Sequence, residues 1–228
     1  MTTPFDYDRD PGRFRLATRV TEQHLTGVPS LYGLLAGELA REDPPRILDI
    51  GCGEGALRAA LPARLGARTV GLDASATMLS AHPRPVVQAD ATALPFVAGG
   101  FGAAVAVNVL DHLTDPTAAI REAHRVLAAG GCLLAATASR HDSPELAAVW
   151  RPPPASFDAE NAPELVAAVF RQVRVERWDA PLVRLPDRAA VRDYLIARFV
   201  APEAAAAAEQ VATPITVTKR GAVLLARK

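Results

Sequence analysis

Three aspartates and a cluster of glycines are the residues whose types and spacing could do chemistry in this chain. In "ILDIGCGEG", Ile47 to Gly55, an apolar run passes through Asp49 into Gly51, Gly53 and Gly55. Glycines at alternate positions permit φ angles that other residues avoid, and they leave room for a ligand to approach the backbone. A helix beginning near Ala56 would point its free N–H groups at that space. In "TVGLDAS" a second apolar run ends at Asp73, followed by Ala74. A carboxylate there can accept hydrogen bonds from the vicinal hydroxyls of an unphosphorylated ribose, and it would repel a 2′-phosphate. In "VVQADATALPF" a third run ends at Asp90. That carboxylate could accept from an adenine amino group while the Ala91 amide donates to a ring nitrogen. Met78 is placed to lie against the purine face. The competing readings are a helix cap for Asp73, which could do both jobs, and a turn-forming aspartate for Asp90.

"NVLDHLTDP" follows a fourth apolar run and brings Asp111 and His112 into range of a reacting atom. Imidazole ordinarily titrates near neutrality, so His112 could take a proton from an incoming hydroxyl or amine, with Asp111 beside it. The alternative is that His112 packs or caps while the substrate arrives already deprotonated. His141, after the fifth run, could face a substrate. His24, His82 and His124 lie in helical patterns and read as surface histidines. No set of histidines and carboxylates has metal-ligand spacing, so no metal is expected. Cys52 lies in the glycine turn, where its backbone matters more than its thiol, and Cys132 reads as a small buried hydrophobe. Tyr7, Arg13 and Arg19 precede the first helices; Arg13 or Arg19 could meet a ligand carboxylate, with solvated arginines the plainer reading. Trp150, Trp178 and Tyr194 are candidate pocket walls, with core packing the plainer reading.

These residues need elements to hold them. Short apolar runs predict strands over 46–50, 68–72, 86–89, 103–108 and 132–137. They are apolar on consecutive residues, as strands buried on both faces should be. Helix signals alternate with them. In "DPTAAIREAHRVLAAGG" Asp115 can cap, Pro116 fits the first position, and Gly130 fits just past the end. "NAPELVAAVF" places Asn161 three residues before Glu164 as a variant capping box. "SLYGLLAGELA" puts Leu31, Leu34, Leu35 and Leu39 on one helical face, capped by Ser30. The alanine-rich stretch 201–212 and "AAVRDYLIAR" read as further helices, and "FRQVRVERWDAPLV" and "ITVTKRGAVLLARK" as two late strands. Strands alternating with helices predict an α/β, doubly wound, mostly parallel sheet with helices on both faces.

Bulk properties narrow the function. The 228 residues suit one large domain, and hydrophobic residues make up 50% of them. Basic and acidic side chains balance at 25 each, with a pI near 7.0 and no basic stripe, so a nucleic-acid partner is not expected. Two cysteines make no disulfide framework, the N-terminus has no signal-peptide pattern, and no apolar window reaches the length of a membrane span. A cytoplasmic protein away from the membrane is the expectation, monomeric or homodimeric.

"ILDIGCGEG", "GLDASATML", "QADATALPF" and "REAHRVLAAGG" together resemble the ordered motifs of class I S-adenosylmethionine-dependent methyltransferases, over roughly residues 46 to 138. The likeness is greatest to the broad type 11/25-like subgroup that methylates small molecules. The G-x-G-x-G spacing fits that family better than the G-x-G-x-x-G of dinucleotide enzymes. The resemblance implies a Rossmann-like seven-stranded sheet with an antiparallel terminal strand, and S-adenosylmethionine as cofactor, leaving as S-adenosylhomocysteine. It implies that Asp49 and the turn Gly51, Cys52, Gly53 and Gly55 hold the methionine part, and that Asp73 with Ala74 holds the ribose. Asp90 and Ala91 would read the adenine, and Asn108 and Val109 would sit beside the sulfonium. Phe101-Gly102 stands where the family often has Phe-Asp, and Ala128-Ala129 where Lys-Pro is usual. The expectation is a single methyltransferase domain, with an N-terminal helical cover (1–45), a cofactor core (46–138) and a remainder carrying a substrate-cover insert (139–228). Its acceptor would be a small molecule of secondary metabolism, methylated on O, N or C. The alternatives are a non-catalytic cofactor-binding sensor or partner subunit, and, further off, an NAD-dependent oxidoreductase.

Overall fold

The computed structural model describes residues 10–228, so Tyr7 lies outside the described residues. Along the chain come α1 (Pro11–His24), α2 (Leu31–Glu42), β1 (Ile47–Ile50), α3 (Ala56–Ala60), α4 (Ala63–Gly66), β2 (Thr69–Asp73), α5 (Ala76–Ala81) and β3 (Val86–Gln88). They are followed by β4 (Phe101–Val107), α6 (Pro116–Val126), β5 (Leu127–Ala138), α7 (Ala162–Ala167), β6 (Gln172–Leu185), α8 (Arg188–Ile196), α9 (Pro202–Ala205) and β7 (Ile215–Arg227). Among the described residues seven strands form one sheet in the order β3-β2-β1-β4-β5-β7-β6. β1 pairs in parallel with β2 and β4, β2 with β3, and β4 with β5, whereas β7 runs antiparallel to β5 from Cys132↔Arg227 to Ala138↔Gly221. The expected sheet is therefore present. After β3 the chain returns to the other side of β1, which makes the carboxyl ends of β1 and β4 the switch point where open α/β sheets bind ligands.

The chain divides into two compact units, one comprising Leu31–Ser139, Ala155–Arg177 and Gly221–Lys228, the other the segment up to Ser30, Arg140–Pro154 and Trp178–Arg220. The first unit holds the parallel strands and has a core on each face of them. Successive side chains of a strand point to opposite faces, so Ala104 and Ala106 of β4 enter a cluster with Ile120, Ala123 and Val126 of α6. Ala103, Val105 and Val107 enter a second cluster with Leu35 and Leu39 of α2. The alanines let helices approach closely. At Gly102 a Cβ would lie 2.6 Å from Pro45 Cδ, so the glycine makes room for a close-packed Pro44-Pro45.

The second unit has its own core of Val20, Leu146, Val183, Leu185, Val191, Tyr194 and Leu195, with Trp150 partly buried against it. A polar network runs through it. Buried Asp142 pairs with Lys219 and accepts from Ser143 Oγ (2.9 Å) and the Arg220 amide (2.8 Å), while Tyr194 Oη meets Ser143 Oγ at 2.8 Å. Tyr194 is thus a core residue. In this unit Arg13 pairs with Asp10, and its guanidinium lies 5.6 Å from the Phe199 ring centre. Arg19 is exposed.

Several local expectations are corrected. Leu34 is 52% exposed, because α2 turns its Leu35–Ala36–Leu39 stripe inward and leaves Leu34 on its outer flank. α6 ends at Val126 and not at the double glycine, since Leu127 already pairs with Phe101. The ladder then slips before Ala103↔Cys132 resumes, and Gly130, at φ +76°, lies in the slip. Asn161 precedes α7 without capping it, because its Oδ1 accepts from the Asp158 amide instead (2.8 Å). The alanine-rich stretch yields only the four-residue α9, followed by 3-10 turns to Gln210. His82 is no surface histidine: it is 5% exposed and packs beneath the glycine turn. His124 is half-buried, edge-on to Phe170 at 5.0 Å.

Candidate functional site

β1 delivers Asp49 and the glycine turn to the carboxyl edge of the sheet. The Gly51 and Cys52 amides both donate to the Leu72 carbonyl of β2, at 2.7 and 3.0 Å, and the Gly55 amide closes back on the Cys52 carbonyl at 3.0 Å. Gly51, Gly53 and Gly55 all have positive φ (+68°, +52° and +95°). A Cβ on Gly51 would fall 2.3 Å from Val109 Cγ2. At Gly51 the glycine therefore serves the packing of Val109 over the turn as well as the backbone's conformation. Cys52 is buried, and burial pushes its thiol pKa up, which leaves it protonated and inert. Cys132 is likewise buried, with its thiol pushed up to about 11.

Asp73 fastens two turns. One carboxylate oxygen accepts from the Gly53 amide and the other from the Ser75 amide, each at 2.9 Å. The cap of α5 is Ser75, whose hydroxyl accepts from the Met78 amide (3.1 Å). Gln88 of β3 reaches back to the Ala74 carbonyl at 3.0 Å, which ties the second and third strand ends together. Met78 is buried at 2% exposure. Asp90 Oδ1 accepts from the Thr92 amide and hydroxyl, both at 2.7 Å, which builds the turn after β3 and leaves Oδ2 outside that turn. Asp90 is exposed, and Ala91 beside it is buried.

Asp49 is the electrostatic centre of the group. It is 3% exposed, and its Oδ2 is buried with no hydrogen-bond partner. Burial, and after it the Asp73 carboxylate, push its carboxyl up to about 8. An acceptor left buried and unpaired costs about 1–3 kcal/mol, so a cation with N–H donors would be favoured beside it. The residues present therefore fit a cofactor that carries an ammonium, a ribose and an adenine.

On the β4 side, Asn108 holds a left-handed conformation (φ +48°), with its amide bound to the Ala136 carbonyl at 2.9 Å. A 3-10 turn from Leu110 to His112 follows. Ser156 Oγ donates to the Leu113 carbonyl at 2.6 Å and so anchors that turn. Burial raises the Asp111 carboxyl, and the neighbouring His112 acts against the rise. One Asp111 oxygen, Oδ1, is buried without a partner. The structure thus brings Asp49, the glycine turn, Asp73, Asp90, Ala91, Asn108, Val109, Asp111 and His112 into one unit. His141 is exposed and belongs to the other unit. Sequence reasoning read His82, which lies under the glycine turn, as a surface histidine and missed Ser156, which holds the turn after β4, and no local signal marks either role.

Residues 48–135 match a protein-family model described as Methyltransferase domain. With that match and its sheet order, the chain has the class I S-adenosylmethionine-dependent methyltransferase fold. A ubiquinone biosynthesis O-methyltransferase from a Methylobacterium species is 39% identical over 103 residues, 41% of this chain and 41% of that protein. The chain thus spans about two-fifths of the length of that relative. Among solved structures, a methyltransferase from Thermotoga maritima described as a possible histamine N-methyltransferase superposes with a TM-score of 0.64 at 18% identity, covering 97% of this chain and 98% of its own. The cyclase SpnF superposes with a TM-score of 0.63 at 20% identity, covering 97% and 94%. At such identities the likeness is one of fold. Among the described residues no helix is long and apolar enough to cross a membrane.

Proposed function

We propose that this chain transfers a methyl group from S-adenosylmethionine to a small-molecule acceptor. The observation that carries the reading is the buried Asp49 carboxyl, its Oδ2 unpartnered, in the strand that runs into the glycine turn, with Asp73 and Asp90 following at the ends of the next two strands of the sheet. Asp49 takes the ammonium of the methionine part, supported by the amides of the turn. Asp73 takes the ribose hydroxyls with the lone pairs that Gly53 and Ser75 leave open. Asp90 Oδ2 accepts from the adenine amino group, and the Ala91 amide donates to the ring.

When bound, the cofactor supplies an electrophilic methyl carbon on a sulfonium. Displacement at that carbon needs alignment and exclusion of water more than covalent help. Asn108 and Val109 border the methyl-bearing end. His112 accepts the acceptor's proton as its oxygen or nitrogen attacks, and Asp111 beside it stabilises the imidazolium that forms. The name of the Methylobacterium relative, an O-methyltransferase of ubiquinone biosynthesis, makes a hydroxyl the first acceptor to try, with catechols as convenient probes. The decisive experiment incubates purified protein and cofactor with a panel of catechols and with a small-molecule extract, and uses mass spectrometry to find any species gaining one CH₂. A gain that disappears in Asp73→Ala supports the proposal. Tight binding of S-adenosylhomocysteine with no gain anywhere would point instead to a non-catalytic binder.

A further inference from the structure

The segment from Asp90 to Phe96 carries the proposed adenine readers yet belongs to no helix or strand. Its backbone polar groups must find partners elsewhere. Two side chains of α6 supply them. Glu122 Oε2 accepts from the Leu94 amide at 2.8 Å, while Arg125 Nη2 donates to the Leu94 carbonyl at 2.9 Å and Nη1 to the Phe96 carbonyl at 2.7 Å. The two side chains also grip each other at both points of the guanidinium fork, Nε to Oε1 at 2.7 Å and Nη2 to Oε2 at 2.8 Å. Leu94 is 4% exposed, so its amide and carbonyl have little water to turn to. Phe96 is held further by an edge-on contact with Phe101 at 5.0 Å. At its other end the segment is closed, among the described residues, by its own Asp90–Thr92 turn and the Ala93 amide on the Asp90 carbonyl.

We propose that Glu122 and Arg125 are positioning residues for adenine recognition, setting the place of Asp90 and Ala91 through the Leu94–Phe96 backbone without touching the cofactor. This rests on the assignment of the adenine to Asp90 and Ala91. The pair is well suited to the task. A bidentate charged fork has one geometry, and its remaining donors and acceptor fit a carbonyl–amide–carbonyl run of backbone. Lysine could keep the charge but not the fork.

The test measures binding of S-adenosylhomocysteine and S-inosylhomocysteine by calorimetry, with thermal unfolding in parallel. The inosyl ligand carries a carbonyl and a ring N–H where the adenosyl ligand carries an amino group and a ring acceptor. It therefore meets Asp90 and Ala91 with the wrong polarity. The wild-type protein should prefer the adenosyl ligand, and Asp90→Ala should abolish the preference. Arg125→Lys should lower the preference by about tenfold while the protein remains folded, with Glu122→Gln intermediate because its amide oxygen can still accept from Leu94. If Asp90→Ala abolishes the preference and both α6 variants keep it, the positioning role is refuted while the adenine assignment stands. If Asp90→Ala also keeps it, the assignment falls and the inference falls with it. Equal loss of affinity for both ligands in the α6 variants would mark a merely structural pair and would likewise overturn the proposal.

Discussion

Asp49 is a compromise between folding and binding that can be measured. Its carboxyl is pushed up to about 8 by burial and by Asp73, against an ordinary value of 3.8. A folded-state pKa above the unfolded one means stability that is present at low pH and lost as pH rises through the folded value. The ligand-free protein should therefore lose stability between about pH 4 and pH 8, over and above its other groups. Asp49→Asn removes that loss, so thermal unfolding at pH 8.5 should show the variant more stable than wild type, with the difference shrinking at pH 5. The same substitution should weaken S-adenosylhomocysteine binding by about tenfold or more, because a neutral amide attracts an ammonium poorly. Cofactor binding should release protons near pH 7 in wild type but not in Asp49→Asn, which calorimetry in two buffers of different ionisation enthalpy would reveal. Gly51 allows a second prediction. A Cβ there meets Val109 at 2.3 Å on a backbone with φ +68°, so Gly51→Ala should destabilise the fold by about 1–3 kcal/mol and abolish cofactor binding.

At the scale of elements, strands announce themselves by apolar runs and helices by caps, and both signals were readable. Asp115 does accept from the Ala118 amide at 3.1 Å, with Pro116 at the start of α6. Asp115→Ala should cost about 1 kcal/mol in chemical denaturation. The ends of elements were less legible. Whether α6 continues to the double glycine depends on Leu127 pairing with Phe101, a partner 26 residues away in the chain that no local pattern names. The turn after β4 is similar. "NVLDHL" marks it as chemically interesting, but its anchor is Ser156, contributed from the segment before α7. Ser156→Ala should lower the turnover number more than it raises the Michaelis constant for the cofactor, as steady-state kinetics with any identified acceptor would show.

At the scale of the whole molecule, the chain devotes separate cores to separate units. The unit containing Tyr194 is held by the pairing of half-buried Lys219 with buried Asp142 as well as by apolar packing. Asp142 is 4% exposed, and truncating its partner leaves an uncompensated charge. Lys219→Met should therefore destabilise by about 3 kcal/mol, more than removal of an exposed pair such as Arg188–Glu209. Denaturation of the two variants compares them directly. In the sequence that role is not legible, because Lys219 and Arg220 side by side in a strand pattern look like any solvated face.

The sequence by itself determined the alternation of strands and helices, the glycine turn and the three strand-end aspartates, since each is written in residues adjacent along the chain. Periodicity and turn chemistry act over a few residues, and so those features can be read without the fold. Only the tertiary structure decided that Asp49 keeps an unpartnered oxygen, that Val109 occupies the space over Gly51, that His82 lies under the turn, and that Glu122 and Arg125 fasten the segment after β3. Burial and hydrogen-bond partners across 20 or 30 residues are set by which strands become neighbours, and that is a property of the packed sheet.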